Sequence, residues 1–185
     1  MAAKCFPFKS LKAMQAVATL LDGERSRQMS YYRLLKLLYI ADRRHLGKTG
    51  RPILGGQAVA MDKGPLSSAV YDLIKRNHPD YPEWSQYFRV EGRNIEMLRH
   101  AGNGELSKRE IDTLLDVFKE FEDRDDEELG AITHTFPEYQ KHYHPNIAVP
   151  IPLVDIMEAV GCADQKDAVL QDAEEVGALD RVLGR

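Results

Sequence analysis

The sequence predicts a mainly α fold of the α+β kind: about six helices bundled around a central Ser30–Leu46 helix, with a small β-hairpin or sheet alongside. Three observations predict it. Leu34, Leu37, Leu38, Ala41 and Leu46 recur at three- and four-residue steps, a wide apolar stripe on one helix. Ser107 and Glu110 have the spacing of a capping box ahead of a second stripe, Ile111, Leu114, Leu115, Val117, Phe118 and Phe121. Two short β-like runs, QYFRV and NIEML, flank the turn Glu91-Gly92-Arg93, which predicts a hairpin over Gln86–Leu98.

Taken in order, the chain opens on CFPF, where Pro7 blocks a helix and Phe6 and Phe8 are free to fold onto the body. Ser10 is placed to cap a helix through Leu21, whose Leu11, Met14, Val17, Ala18 and Leu21 share a face. The loop LDGERSRQM leads to the central helix, capped by Ser30 and stopped at Gly47, and the short connection makes the two helices antiparallel neighbours. KTGRPILGGQAVAMDKG holds too many glycines for a helix and contains one strand-like core, Gln57–Met61. Gly64-Pro65 then reads as a helix start, because the N–H that proline lacks has no partner in a first turn; an anion at this helix start is the weaker alternative. NHPDYPEWSQ reads as a loop carrying Trp84, the only tryptophan. After the capped helix, the run Glu120 to Gly130 holds seven acids and one arginine, an acidic corner before a helix at Asp126. PNIAVPIP must be extended, Leu153 to Val160 forms a short helix ended by Gly161, and Asp164 caps a final amphipathic helix. This organisation suggests a domain over 1–150 and a helical appendage over 151–185.

The wording of three segments carries a resemblance. LLKLLYIADRRHL, GGQAVAMDKGPLSSAVYDLIK and AITHTFPEY, in this order, resemble the Panacea domain family of SocA-like and phage GepA-like proteins. Many such proteins are antitoxins of toxin–antitoxin pairs. The resemblance implies family-motif positions of structural importance at Lys36, Leu37, Tyr39, Gly64, Pro65, Thr133, His134 and Pro137, with Thr133, His134, Pro137 and Tyr139 as a lock. It further implies a cognate toxin protein from the adjacent gene as partner, and an AAA+ protease as a second partner if the chain acts as an adaptor. The likeness fades after His144.

Composition excludes several classes. A net charge of −4 argues against a dedicated nucleic-acid binder, although residues 1–51 carry 11 Lys and Arg against 3 Asp and Glu and the remainder is acidic. Without an apolar run long enough for a membrane span or a leader, the expectation is a cytoplasmic protein with no membrane partner. Cys5 and Cys162 lack metal-ligand spacing and are expected as thiols.

For chemistry the sequence offers no G-x-S-x-G elbow, phosphate loop or H-E-x-x-H, so a non-enzyme without cofactor or metal is expected. The rival of another class is a metal-dependent hydrolase built from His134, His142, His144 and the acidic corner, but the histidine spacing fits no standard zinc pattern and the aspartates do not alternate as in a calcium loop. Partner contacts are expected on the last helix through Val169, Ala173, Val176 and Leu179, flanked by Asp172 and Glu175; the competing expectation is that this helix covers the core. Basic Arg43 and Arg44 on the central helix, with Arg33, form the other candidate surface.

Overall fold

The computed structural model describes residues 5–183; Met1 to Lys4, the start of the segment read for a leader, lie outside the described residues, as do 184 and 185. Helix α1 (Ser10–Asp22) buries Met14, Val17, Ala18 and Leu21 completely. Its N-cap is Lys9 rather than Ser10, whose hydroxyl instead donates to Asp80. The central helix α2 (Tyr31–Thr49) is capped as expected, with Ser30 Oγ accepting from Arg33 N. It does not stop at Gly47. The helix runs to Gly50, which holds φ +74 and closes it. Gly47 is small for another reason: a Cβ there would lie 3.1 Å from Val160 Cβ, so it lets the chain near Val160 approach the helix.

Two small antiparallel sheets flank α2. The predicted hairpin forms from β4 (Phe88–Glu91) and β5 (Asn94–Met97), and gains a third strand, β1 (Gln28–Ser30), from the stretch expected as loop. Met29 faces Ile95 in that register, so a single apolar pair secures a strand too short to show periodicity. The second sheet has the order β3-β2-β6, with β2 (Ala58–Met61) central. Here the expectation for Gly64-Pro65 is corrected: Gly64–Ser67 is strand β3, Asp62-Lys63 is a hairpin turn, and helix α3 (Ser68–Ile74) starts only afterwards. Gly64 takes φ +98, which favours glycine, and Pro65 sits on an edge strand, where a missing N–H is tolerated. The anion-binding helix start disappears with that correction. The extended PNIAVPIP run supplies β6 (Val149–Ile151), paired to β2.

Within the expected loop NHPDYPEWSQ lies a one-turn helix, α4 (Tyr81–Trp84), which inserts fully buried Trp84 beside Phe88 at 4.5 Å between ring centres. The capping box of α5 (Lys108–Glu120) is present in both directions, and α6 (Asp126–His134) has a second one, Asp125 with Glu128. The acidic corner is therefore a capping device: Glu128 closes on the Asp125 N–H and pairs with Arg124 at 2.9 Å. The THTFPEY motif continues into a helix not expected from the sequence, α7 (Pro137–His142), and α8 (Leu153–Ala159) follows β6. A short 3₁₀ turn at Ala163–Gln165 precedes α9 (Lys166–Leu183).

Apolar side chains gather in two clusters. The larger joins α1, α2, α5 and the β4–β5 hairpin. The smaller draws Phe6, Leu46, Ala60 and Tyr139 together with Ile151, Ile156, Met157, Cys162, Val169 and Ala173, so it takes residues from both sides of position 150. α2 contributes to both.

Candidate functional site

The motif positions converge around Lys36. The apolar rhythm of α2 turns this lysine inward between Leu35 and Leu37, and it is 1% exposed. Its ammonium donates to the Pro65 carbonyl at 2.9 Å and lies 5.1 Å from the centre of the Tyr32 ring. Burial pushes its pKa down to about 7, because a low-dielectric surround disfavours the charged form. Gly64 explains how so many groups fit: a Cβ there would meet Thr133 Oγ1 at 2.8 Å, Lys36 Nζ at 2.9 Å and His134 Cδ2 at 3.1 Å. Gly130 is small for a similar reason, since its Cβ would lie 2.4 Å from Tyr32 Oη.

Around this point α6 and α7 supply a stack. Fully buried Thr133 donates to the Gly130 carbonyl at 3.0 Å. The His134 ring stacks on Tyr139 at 4.9 Å and 10°, and Tyr139 stacks in turn on Tyr143 at 5.3 Å. Tyr139 donates to the Met61 carbonyl at 3.0 Å, and Tyr32 donates to the Lys63 carbonyl at 3.0 Å, so both tyrosines hold the β2–β3 turn. Burial, and then the neighbouring Lys36, lower the imidazole of His134 against the opposing effect of the Lys63 carbonyl. Its Nε2 is buried without a hydrogen-bond partner. Burial foremost raises the Tyr139 hydroxyl to about 12. Above these groups opens a cleft of about 730 Å³, walled by Tyr31, Tyr32, Leu35, Leu66 and Tyr71 and rimmed by charged side chains including Asp62, Lys63, Arg93, Asp126 and Glu127.

A second polar centre adjoins it on α2. Tyr39 donates to Glu138 Oε1 at 3.1 Å, and Arg43 Nε approaches the same oxygen at 2.6 Å. Glu138 is 1% exposed, so it is a buried carboxylate held by a cation and a phenol. Arg43 also lies 4.3 Å over the Phe136 ring. Pro137 starts α7 at its first turn and thereby positions Glu138 and Tyr139. Leu37 is fully buried in the larger cluster and touches none of this chemistry.

A match to the antitoxin SocA-like, Panacea domain family covers residues 34–140, more than half of the chain. The chain belongs to this family. All of the motif positions read from the sequence fall within the matched span, which ends at Gln140. Neither a curated protein nor a solved structure matches the chain. The Panacea domain of this protein thus sets Lys36 and His134 in the lining of one cleft with Gly64, Pro65 and Thr133 gathered about them, and Tyr39 with Pro137 in the adjoining Glu138 centre.

The residues expected to meet a partner are dispersed. Val169 and Ala173 are buried in the smaller cluster and Val176 packs against it, so docking of α9 onto the chain's own body uses this face. Leu179 is 60% exposed, and Val182 and Leu183 are exposed with it at the end of the helix. Asp172 pairs with Arg51 at 2.6 Å, and Glu175 accepts from Gln171 at 2.9 Å. Arg44 pairs with Glu120 at 2.7 Å, whereas the Arg33 guanidinium donates to the carbonyls of Phe121 and Arg124. The three histidines do not meet: His142 bonds Asp155, His144 is exposed, and among the described residues no group of three His, Cys, Asp or Glu is placed to hold a metal. No helix of the described residues is long and apolar enough to cross a membrane.

Sequence reasoning missed Tyr32, Gly130 and Glu138. Glu138 had a signal, an acid inside the FPEY motif directly after a proline. The fit of Tyr32 over Gly130 is a contact across distant segments, invisible to any local pattern.

Proposed function

We propose that this protein is an antitoxin that neutralises a cognate protein toxin, encoded by the adjacent gene, through direct binding. The observation that carries the reading is the Panacea domain match over residues 34–140, two of whose motif positions, Lys36 and His134, line one solvent-open cleft. A second support is the end of α9, where Leu179, Val182 and Leu183 present exposed apolar surface beside Arg181 while Asp180 is turned inward to Lys9, a combination suited to a partner with an apolar patch. Val169 and Ala173 hold that helix to the body, and the exposed end is left for the partner.

Co-expression tests the reading. Inducing the neighbouring gene is expected to arrest growth, and supplying this chain is expected to restore it, with the two proteins co-purifying at a fixed ratio. Absence of rescue with every neighbouring gene product would overturn it. Rescue that vanishes in cells lacking AAA+ proteases, with the toxin then accumulating in active form, would show adaptor action in place of blockade. The double variant Leu179→Asp, Val182→Asp is expected to lower rescue while leaving circular dichroism unchanged; full rescue would move the contact elsewhere.

A further inference from the structure

We propose that the cleft between α2, the β2–β3 turn and α6 is a receptor site for a carboxylate carried on an aromatic or apolar body, with Lys36 as its counterion. Several buried ions have an opposite charge: Glu138 has Arg43 at 2.6 Å, Glu110 has Lys12 at 2.6 Å, and Asp155 has Lys141 at 2.7 Å, while partly buried Asp42 on the same helix as Lys36 is held by the backbone N–H groups of Ile53 and Leu54. Lys36 has none within ion-pair distance among the described residues. Its ammonium hydrogen bond among the described residues, to the Pro65 carbonyl, leaves two of its three N–H groups for a ligand. Beside it, His134 Nε2 is buried without a close hydrogen-bond partner, and Gly64, whose Cβ would meet Lys36 Nζ at 2.9 Å and His134 Cδ2 at 3.1 Å, lets the two stand side by side. An unpaired cation and an orphaned ring nitrogen on one cleft floor are what a missing ligand group would satisfy.

The walls define the rest of that ligand. Tyr31, Tyr32 and Tyr71 with Leu35 and Leu66 are aromatic and apolar, and about 730 Å³ suits a drug-sized molecule or a few residues of a chain. The charges facing the floor are the Asp126 and Glu127 carboxylates from α6, Asp62 and Lys63 from the turn and Arg93 from the β4–β5 turn, with the His134 imidazole beside them. Three acids against two cations, Lys63 and Arg93, leave the rim without the positive excess a polyphosphate needs, whereas one negative charge matches one buried ammonium. The carboxylate has two sources, an acidic side chain or chain end of the toxin, or a free aryl acid. The first source rests on the antitoxin reading and the second does not.

The full-length protein alone provides the test. N-acetyl-L-phenylalanine, titrated by calorimetry and by amide NMR, is expected to bind saturably and shift the resonances of Lys36 and His134, with N-acetyl-L-phenylalaninamide weaker by about tenfold or more. Binding above about pH 7 is expected to take up a proton, read from the dependence of the heat on buffer ionisation, because the carboxylate recharges Lys36. Lys36→Met is expected to weaken the acid about tenfold or more while keeping its circular dichroism. Equal binding of acid and amide, no binding of either, or an unaltered Lys36→Met affinity overturns the proposal. Should that variant fail to fold, zero proton uptake by the wild type at about pH 8 overturns it independently. With the toxin complex in hand, displacement of the toxin by the acid assigns the carboxylate to the toxin, and a ternary complex assigns it to a free ligand. A toxin that never binds removes the antitoxin reading and leaves the acid titration standing.

Discussion

Replacing Lys36 with methionine keeps an unbranched apolar stem in the core and removes the charge, so it isolates the thermodynamic burden of a buried ammonium. In the folded chain the lysine titrates at about 7, against about 10.4 unfolded. At about 1.4 kcal/mol per pH unit, the gap corresponds to about 5 kcal/mol of destabilisation while the group is charged. The sign follows from proton binding. Between the two values the unfolded chain holds the proton and the folded chain does not, so wild-type stability rises with pH from about 7 to about 10. Losing the bond to the Pro65 carbonyl opposes the gain by about 1–3 kcal/mol. Lys36→Met is therefore expected to be more stable than wild type by about 2–4 kcal/mol at about pH 6 and to lose that advantage near pH 9. Urea unfolding of both proteins at about pH 6, 7.5 and 9 reads the difference directly, since every other titrating group is shared. Parallel stability profiles across that range would refute the buried-ammonium reasoning.

Two further substitutions probe the same region. Gly64→Ala puts a methyl group against Thr133 Oγ1 at 2.8 Å and Lys36 Nζ at 2.9 Å on a backbone at φ +98, and is expected to cost about 2–4 kcal/mol in urea unfolding; a loss under about 0.5 would show that the floor relaxes freely. Glu138→Gln keeps shape but leaves Arg43 without its carboxylate, and is expected to destabilise by about 3 kcal/mol, with Arg43→Met in the same background recovering part of the loss; additive effects of the two changes would mean that they do not form a unit.

Much of the fold was legible because α2 and α5 carry their own instructions, a stripe at helical period and a capping residue in the first turn. The errors fell where local signals had two meanings. Gly64-Pro65 satisfies the rules for a helix start and equally those for an edge strand after a tight turn, and only pairing with Ala60 and Met61 decides between them. Gly47 satisfies the rule for a helix stop, but its size is used by Val160, a residue far away in sequence. The cleft was legible only as a list of motif positions. That Lys36 meets the ring of Tyr32 follows from their four-residue spacing on α2, yet its burial and the carbonyl it meets depend on β3 and α6 closing over it. On α9 the periodicity identified an apolar face without telling which part of that face the chain covers for itself.

That division of α9 makes truncation after Gly161 informative. The cut removes Cys162, Val169 and Ala173 from the smaller cluster and deletes the Lys9–Asp180 and Arg51–Asp172 pairs. The exposed Arg51 pair contributes little, about 0–1 kcal/mol. Burial of the apolar side chains contributes more, about 1.5–3 kcal/mol for a valine-sized group, offset in part by the entropy of ordering an 18-residue helix. The larger cluster, built on α1, α2, α5 and the β4–β5 hairpin, contains no residue of α9 and is left whole. The shortened chain is thus expected to remain helical and to unfold at lower urea, by a few kcal/mol, in one transition, because α2 passes through both clusters and cannot leave one without the other. Circular dichroism and fluorescence of Trp84, which is buried in the larger cluster, should report the same midpoint. Two separated midpoints would break that reasoning and make the smaller cluster an independent unit. If the shortened chain is folded and no longer rescues growth, the exposed end of α9 carries recognition; if it is folded and still rescues, recognition belongs to the Panacea cleft.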